Sequence, residues 1–428
     1  MREEKLKGKR LLILGAAGGL DYILKFKNEN GVVIVTTADP QYQENPLFDI
    51  ADEKYSVSPL DKGSLLELCK KKHIDGIFPG GNEEIIDVVI DVACELGLPC
   101  YVNKKQFRLN HDKSYFHQVI RKYGLKCPKE YPVDEKLSDE SLSGIEYPVI
   151  VKPVDLCGGK GIRPCRNAEE LRENYKNAVH LSLSHRAIVE QFIPGEEFTA
   201  VYTLKDGKIS LSAVKDKYMS EEHELMTSQF DICIAPSRWV SEYCSGPDQK
   251  IRNLIADMGF HDGTIFFQGF FYKGEFLFHE AGCRMTGAED FRMISEMNGI
   301  NFYEMMLHFS LTGKMEGYLL EQDDPFFQYP LAKFTMYAHG GMVGEQTGFE
   351  QIRVLPNVLK AELHKEKGAV IEENSALKQR VLSTYIKGRD LRDLSETIRT
   401  IQDLFDVKDA NGNSMLFKKF NTERLFSK

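Results

Sequence analysis

The stretch Pro148–Gly161 reads PVIVKPVDLCGGKG. It is an apolar strand, a lysine near its end, and a glycine-rich loop carrying a second lysine. A lysine held on a rigid strand beside exposed backbone N–H groups suits a polyphosphate. The G-x-x-x-x-G-K-[ST] spacing of a P-loop is absent, and the stretch lies well after the first β–α unit. Those two facts point away from a P-loop NTPase and from a plain dinucleotide-binding enzyme. Lys152 has apolar neighbours, and an unpaired buried charge is costly. It therefore calls for an anionic partner, and phosphate is one.

Working outward, the chain has 428 residues, 42 % hydrophobic and 28 % charged, which predicts two or three domains with a sizeable core. A net charge of −9 gives no general footprint for nucleic acid or an anionic membrane. The start, MREEKLKGKRLLILG, has no signal-peptide pattern. No apolar run reaches the ~18 residues of a membrane span. The nine cysteines form no C-x-x-C pair, which fits a reducing, cytoplasmic setting.

The first hundred residues alternate strand and helix. Strands are expected at Arg10–Gly15, Gly31–Thr37, Asp75–Pro79 and Leu98–Val102. Helices are expected at Leu20–Asn28, Ser64–Lys72 and Glu83–Leu96. This pattern implies a doubly wound parallel sheet. A helix capped by Asp112 follows. Next come the strand Pro148–Pro153, the helix Asn167–Ala178 and the strand Ala187–Glu190. Hairpins are expected at Phe198–Lys215 and Thr264–Glu280, with a helix at Lys250–Met258 between them. Beyond Gly317, strands are expected at Thr335–Ala338, Gly348–Val354 and Val381–Ile386, and a helix at Leu391–Phe405 with an apolar face.

Several separated motifs from Asp112 to Arg284 occur in one order, and that order resembles the ATP-grasp superfamily. The likeness is to the group that includes biotin carboxylase, the large chain of carbamoyl-phosphate synthase and D-alanine–D-alanine ligase. It implies a multidomain α/β and α+β fold. Residues 1–110 would form a leading α/β domain, 111–317 the ATP-grasp domain, and 318–428 a C-terminal α+β domain. It also implies ATP with Mg2+, or Mn2+ in its place. Lys113, Lys152 and the loop Gly158, Gly159, Lys160, Gly161 would hold phosphates. Glu190, Gln191, Phe192 and Ile193 would form the adenine hinge, and Glu197 would accept from the ribose hydroxyls. Lys217, with Lys215 as its alternative, would be a further phosphate contact and catalytic group. Gln268 and Glu280 would be the metal ligands, on partner strands of a hairpin. Arg284 would hold a carboxylate or acyl phosphate. The family usually has Asn two positions after the second metal ligand, where this chain has Gly282.

The resemblance implies an ATP-dependent carboxylate–amine, or carboxylate–thiol, ligase that forms an acyl phosphate. Its partners would be a small carboxylic acid and an amine, with no nucleic acid and no membrane; a homodimer is allowed for. Two other readings compete: a bicarbonate-activating carboxylase-type enzyme, and a non-catalytic nucleotide-binding regulator. Gly15, Gly18 and Gly19 mimic a dinucleotide fingerprint but lack its G-x-G-x-x-G order, so a structural turn is expected. Glu83, just after a strand end, is a candidate substrate contact. The substrate loops are expected at Met219–Ser237 and Arg284–Arg292.

Overall fold

Strands β1 (Arg10–Ile13), β2 (Val33–Ala38), β3 (Glu53–Ser56) and β4 (Gly76–Phe78) run parallel in the order β3-β2-β1-β4. The computed structural model describes residues 6–16, 18–39, 45–156, 159–220, 230–373 and 376–426. The helices Leu20–Asn30 and Lys62–Lys72 make crossovers between these strands, and the helix Glu83–Leu96 follows β4. Leu11, Leu12 and Ile13 are fully buried, as strands covered on both faces should be. The helix Glu83–Leu96 starts at Asn82, whose side chain accepts from the N–H groups of Glu84 and Ile85. That cap fixes Glu83 at the carboxyl end of the sheet.

One expectation fails here and one strand was not foreseen. Leu98–Val102 is not a strand. Pro99 cannot donate to a ladder, and the Tyr101 hydroxyl donates to the Cys283 carbonyl at 3.0 Å. The strand β3 escaped the sequence reading because its four residues, EKYS, form no apolar run.

A second, antiparallel sheet follows. It contains β5 (Glu130–Tyr131), β6 (Val149–Pro153), β7 (Arg163–Cys165) and β8 (Ala187–Gln191), in the order β5-β8-β6-β7. Val149, Val151 and Val189 pack under the helix Ala168–Leu181 through Leu171 and Ala178.

The remaining strands are β9 (Glu197–Lys205), β10 (Lys208–Met219), β11 (Phe230–Ala235), β12 (Gly263–Tyr272), β13 (Glu275–Gly282), β14 (Leu331–Tyr337), β15 (Gly341–Met342), β16 (Glu345–Thr347), β17 (Val358–Leu363), β18 (Val370–Ile371), β19 (Arg380–Lys387) and β20 (Asp406–Lys408). Eight of them form one sheet, β13-β12-β9-β10-β11-β14-β19-β17. β15 pairs with β18, and β16 with β20. The large sheet runs across residue 317, so strands from both sides of the expected boundary share one ladder. The helix Leu391–Leu404 covers it with Leu394, Ile398 and Ile401.

Gly348–Val354, expected as a strand, contains the short helix Phe349–Ile352 instead. Phe349 and Ile352 fall on one helical face and both pack into the C-terminal core. Part of the expected loop Met219–Ser237 is the sheet strand β11. Residues 221–229 of that loop, and Cys157 and Gly158 of the glycine loop, lie outside the described residues.

Candidate functional site

Strand register lines up the candidate side chains on one face of the large sheet. Residues directly opposite in an antiparallel pair point to the same side. Glu280 on β13 faces Gln268 on β12, Gln268 faces Thr199 on β9, and Thr199 faces Lys215 on β10. Two residues along, a second row runs Phe270, Glu197, Lys217, Cys233, Lys333, Tyr385. A β-bulge in β13 leaves His279 as an extra residue, because Gln268 pairs with Glu280 and Gly269 with Phe278. His279 and Glu280 thereby both reach the same cleft.

That cleft has a volume of about 900 Å3 and lies between the large sheet and the β5–β8 sheet. Lys113, Lys152, Gly159, Lys160, Glu190, Gln191, Phe192 and Ile193 line it from the smaller sheet's side. Glu197, Lys217, Gln268, Glu280 and Arg284 line it from the other, and Glu83 closes one end. Gly161 is not among the lining residues, and a Cβ added there would lie 2.8 Å from Pro153 Cγ.

Lys152 and Glu190 are a buried pair on adjacent strands, with Nζ 2.6 Å from Oε2. His117 lies one helical turn after Lys113 and places Nε2 3.2 Å from Glu190 Oε1. Burial pushes the Glu190 carboxyl up, but Lys152 and His117 outweigh it and hold it below the usual glutamate value. Lys113 donates to the Leu156 carbonyl, at the entry to the glycine loop. Burial lowers its pKa, and Glu280 opposes that shift. Lys160 is mostly exposed and lies 3.7 Å from Glu84, in the first turn of the helix Glu83–Leu96.

Lys217 and Glu197 pair at 2.8 Å. Burial pulls the Lys217 pKa down, yet Glu197 prevails and holds it above the ordinary lysine value. Lys215 takes a different partner, Asp290, with the Thr286 hydroxyl 3.4 Å away. The two lysines are therefore not interchangeable. Gln268 donates from Nε2 to the Thr199 hydroxyl at 3.1 Å, which leaves Oε1 as its remaining donor atom toward a cation.

Arg284 donates through Nε and a terminal nitrogen to Glu83 Oε1, both at 2.7 Å. Its guanidinium lies over the Phe266 ring, 5.2 Å from the centroid. Glu83 is thus held by Arg284. Gly282 also has a structural cause. It faces Phe266 across the hairpin, and an added Cβ would lie 2.1 Å from the ring. The aromatic support under Arg284 occupies the space an asparagine would need. The turn at Gly18 and Gly19 is structural in the same sense. Side chains there would strike Glu289 at 2.2 Å and Tyr303 at 2.3 Å.

Sequence reasoning missed His117, Thr199, His279, Glu289, Asp290 and Lys333. His117 was findable from its one-turn spacing to Lys113. His279 depends on a bulge. Glu289 bridges Lys333 at 2.9 Å and Arg292 at 2.8 Å, a contact between distant segments that no local pattern announces.

Residues 110–244 match the family model of the ATP-grasp domain. Over 242 residues the chain is 25 % identical to a phosphoribosylamine–glycine ligase from Fusobacterium nucleatum, covering 53 % of this chain and 56 % of that protein. The chain spans about half the length of that curated relative. An L-amino acid ligase from Bacillus licheniformis superposes with a TM-score of 0.77 at 16 % identity, covering 94 % of this chain and 99 % of that one. The biotin carboxylase domain of a Hydrogenobacter thermophilus 2-oxoglutarate carboxylase, solved as a dimer with MgADP and bicarbonate, gives 0.73 at 17 % identity, covering 95 % and 91 %. At these identities the likeness to the two structures is one of fold. Residues 110–244 are an ATP-grasp domain, and the mixed α/β architecture expected from the motifs is the one the chain adopts. Among the described residues, no helix is long and apolar enough to cross a membrane.

Proposed function

We propose that the chain is a carboxylate–amine, or carboxylate–thiol, ligase that spends ATP to form an acyl phosphate. The observation that carries this reading is the row Glu280, Gln268, Thr199, Lys215 beneath the Lys152–Glu190 pair, with Arg284 at its end. It sets two oxygen donors, several cations and a guanidinium fork around one cleft.

In this reading Lys113, Lys152, Gly159 and Lys160 hold the phosphates. The backbone of Glu190–Ile193 takes the adenine edge, Phe192 and Ile193 pack on its face, and Glu197 receives the ribose. Lys217 steadies Glu197 and adds positive charge toward the phosphates. Gln268 Oε1 and the Glu280 carboxylate fit Mg2+, a hard ion that takes oxygen from one or two side chains and the rest from phosphate. Mn2+ would suit the same donors. Among the described residues, no group of three His, Cys, Asp or Glu could hold a metal unaided, so phosphate oxygens must complete the set. When bound, the ion neutralises charge on the transferring phosphoryl group.

The acid's carboxylate oxygen attacks the γ-phosphorus, the bond to the β,γ-bridging oxygen breaks, and ADP leaves. The amine nitrogen then attacks the acyl carbon, the carbon–oxygen bond to phosphate breaks, and the amine loses a proton. Arg284 holds the acyl phosphate and stabilises its charge. Such chemistry needs positioning and neutralisation rather than a protein nucleophile. The substrates are a small acid and a small amine.

The test is phosphate and ADP release across a panel of acids and amines, with Glu280→Ala and Lys152→Ala as controls. Release that depends on an acid–amine pair and is lost in both variants supports the reading. Tight ATP binding with no release under any mixture sinks it, as does full activity in both variants.

A further inference from the structure

The hinge is tied to the far end of the chain. Residues 192–196 connect β8 to β9. Phe192, Ile193 and Gly195 of that loop line the cleft, and Glu196 does not. The Glu196 carboxylate instead accepts from Arg424, 228 positions away in sequence, whose Nη2 lies 3.0 Å from Oε1 and 3.2 Å from Oε2. Arg424 also donates from Nη1 to the Met219 carbonyl at 3.1 Å. Met219 ends β10, two residues beyond Lys217, and lines the cleft. The β9–β10 ladder stops at the rung between Glu197 and Lys217, so no bond of that ladder joins Met219 to the hinge. One guanidinium spans the gap, and it is not itself a lining residue.

The guanidinium is held in place. It lies 5.7 Å from the centroid of the Tyr218 ring and 5.3 Å from that of Phe420. Phe420 and Leu425 are buried in the C-terminal core. The Phe420 backbone exchanges two hydrogen bonds with the Gln402 side chain, at 2.6 and 3.3 Å. Arg399 Nε donates to the Thr422 hydroxyl at 2.7 Å. Gln402 and Arg399 both sit on the helix Leu391–Leu404, so the segment carrying Arg424 is docked on that helix. The Arg424 and Glu196 side chains are only 20 % and 27 % exposed, which screens their pairing less than at an open surface. Burial pushes the Glu196 carboxyl up, and Arg424 is the main group opposing that shift.

We propose that Arg424 is a positioning residue for nucleotide binding: by joining the Glu196 carboxylate to the Met219 carbonyl, it fixes the hinge against the end of β10. The C-terminal segment thereby sets nucleotide affinity without touching the nucleotide. A guanidinium suits this task, because its planar fork offers N–H groups to two acceptors in fixed directions, whereas an ammonium is a point charge. The role in binding rests on the reading that Glu190–Glu197 holds the nucleoside; the tie between the two segments does not.

The test is calorimetric titration of the whole chain with ADP in saturating Mg2+, at a temperature where circular dichroism shows every variant folded. The variants are Arg424→Lys, Arg424→Gln, Glu196→Gln and the double variant Arg424→Gln with Glu196→Gln. Glu197→Gln is the reference for the hinge. Glu423→Gln, which breaks an exposed pair with Arg399, is the control for a disturbed C-terminal segment. Arg424→Gln should weaken ADP binding about tenfold and Glu196→Gln about threefold, within the range for residues that act on a site without contacting its ligand. Arg424→Lys should recover part of the loss, the double variant should bind no worse than Arg424→Gln, and Glu423→Gln should bind as the native chain does. If Glu197→Gln weakens ADP binding and Arg424→Gln does not, the positioning role is overturned and the hinge reading stands. Losses that multiply in the double variant also overturn it, since the two side chains would then act separately. If Glu197→Gln and Arg424→Gln both bind ADP as the native chain does, the hinge reading falls as well.

Discussion

Glu197 and Lys217 face each other across β9 and β10, with Oε2 and Nζ 2.8 Å apart and both side chains nearly buried. Each holds the other charged in a place that would otherwise neutralise it. Removing one partner of such a pair strands the other and costs about 3–5 kcal/mol. Glu197→Ala should therefore lower stability by about that much, measured by urea unfolding. The double variant Glu197→Gln with Lys217→Met should recover most of it, and a double variant as unstable as Glu197→Ala would refute the coupling.

The same pair sets a pH dependence. The Glu197 pKa lies below its ordinary value, so its stabilisation is complete above the unfolded value of ~4.3 and fades as pH falls through the folded value. The Lys217 pKa is raised, so its share is complete below the unfolded value of ~10.4 and fades as pH climbs past the folded value. The double variant should show flatter stability at both extremes. An unchanged acid limb would exclude Glu197 as a contributor.

Lys152→Ala leaves Glu190 buried without its lysine, with the imidazoles of His117 and His279 near it. Stability should drop by about 3–5 kcal/mol and ATP affinity by tenfold or more. Adding Glu190→Gln should return much of the stability but none of the affinity. Calorimetric unfolding and ATP titration separate the two effects, and recovered ATP binding in the double variant would remove Lys152 from the phosphate site.

Gly282→Asn would restore the residue usual in the superfamily, yet it collides with Phe266. It should destabilise by about 1–3 kcal/mol through overpacking and should not strengthen the Mg2+ dependence of ATP binding. Coupling it with Phe266→Ala should relieve the clash and weaken the support under Arg284. Tighter metal dependence in Gly282→Asn alone would contradict the packing account.

Arg284→Lys keeps a positive charge beside Glu83 but loses the fork and the stacking on Phe266. Turnover in phosphate release should fall by about 10²–10³, the usual loss for a transition-state donor, with ATP affinity unchanged. A change confined to ATP binding would move Arg284 out of the acyl-phosphate role.

That Lys152 is a buried strand lysine in need of an anionic partner, and that Gln268 and Glu280 lie on the two strands of one hairpin, was legible in sequence for a physical reason. Each of these residues lies in a short segment whose residue types conflict with burial unless a ligand or partner is near. What stayed hidden depends on register. Thr199 joins Gln268 only because β9 and β12 pair at that offset, and His279 reaches the cleft only through an inserted residue. Glu289, Asp290 and Lys333 meet through contacts between separate segments. Gly348–Val354 was misread because a run this short satisfies both a two-residue and a helical period.

The unbroken ladder from β13 to β17 has a consequence for anyone trimming the chain. Cutting after residue 317 would strip β14 from β11, exposing the backbone of Ile232, Cys233 and Ile234 along a bare margin. Such a margin is a template for strand addition by another molecule. The shortened protein should clump rather than behave as a smaller soluble piece.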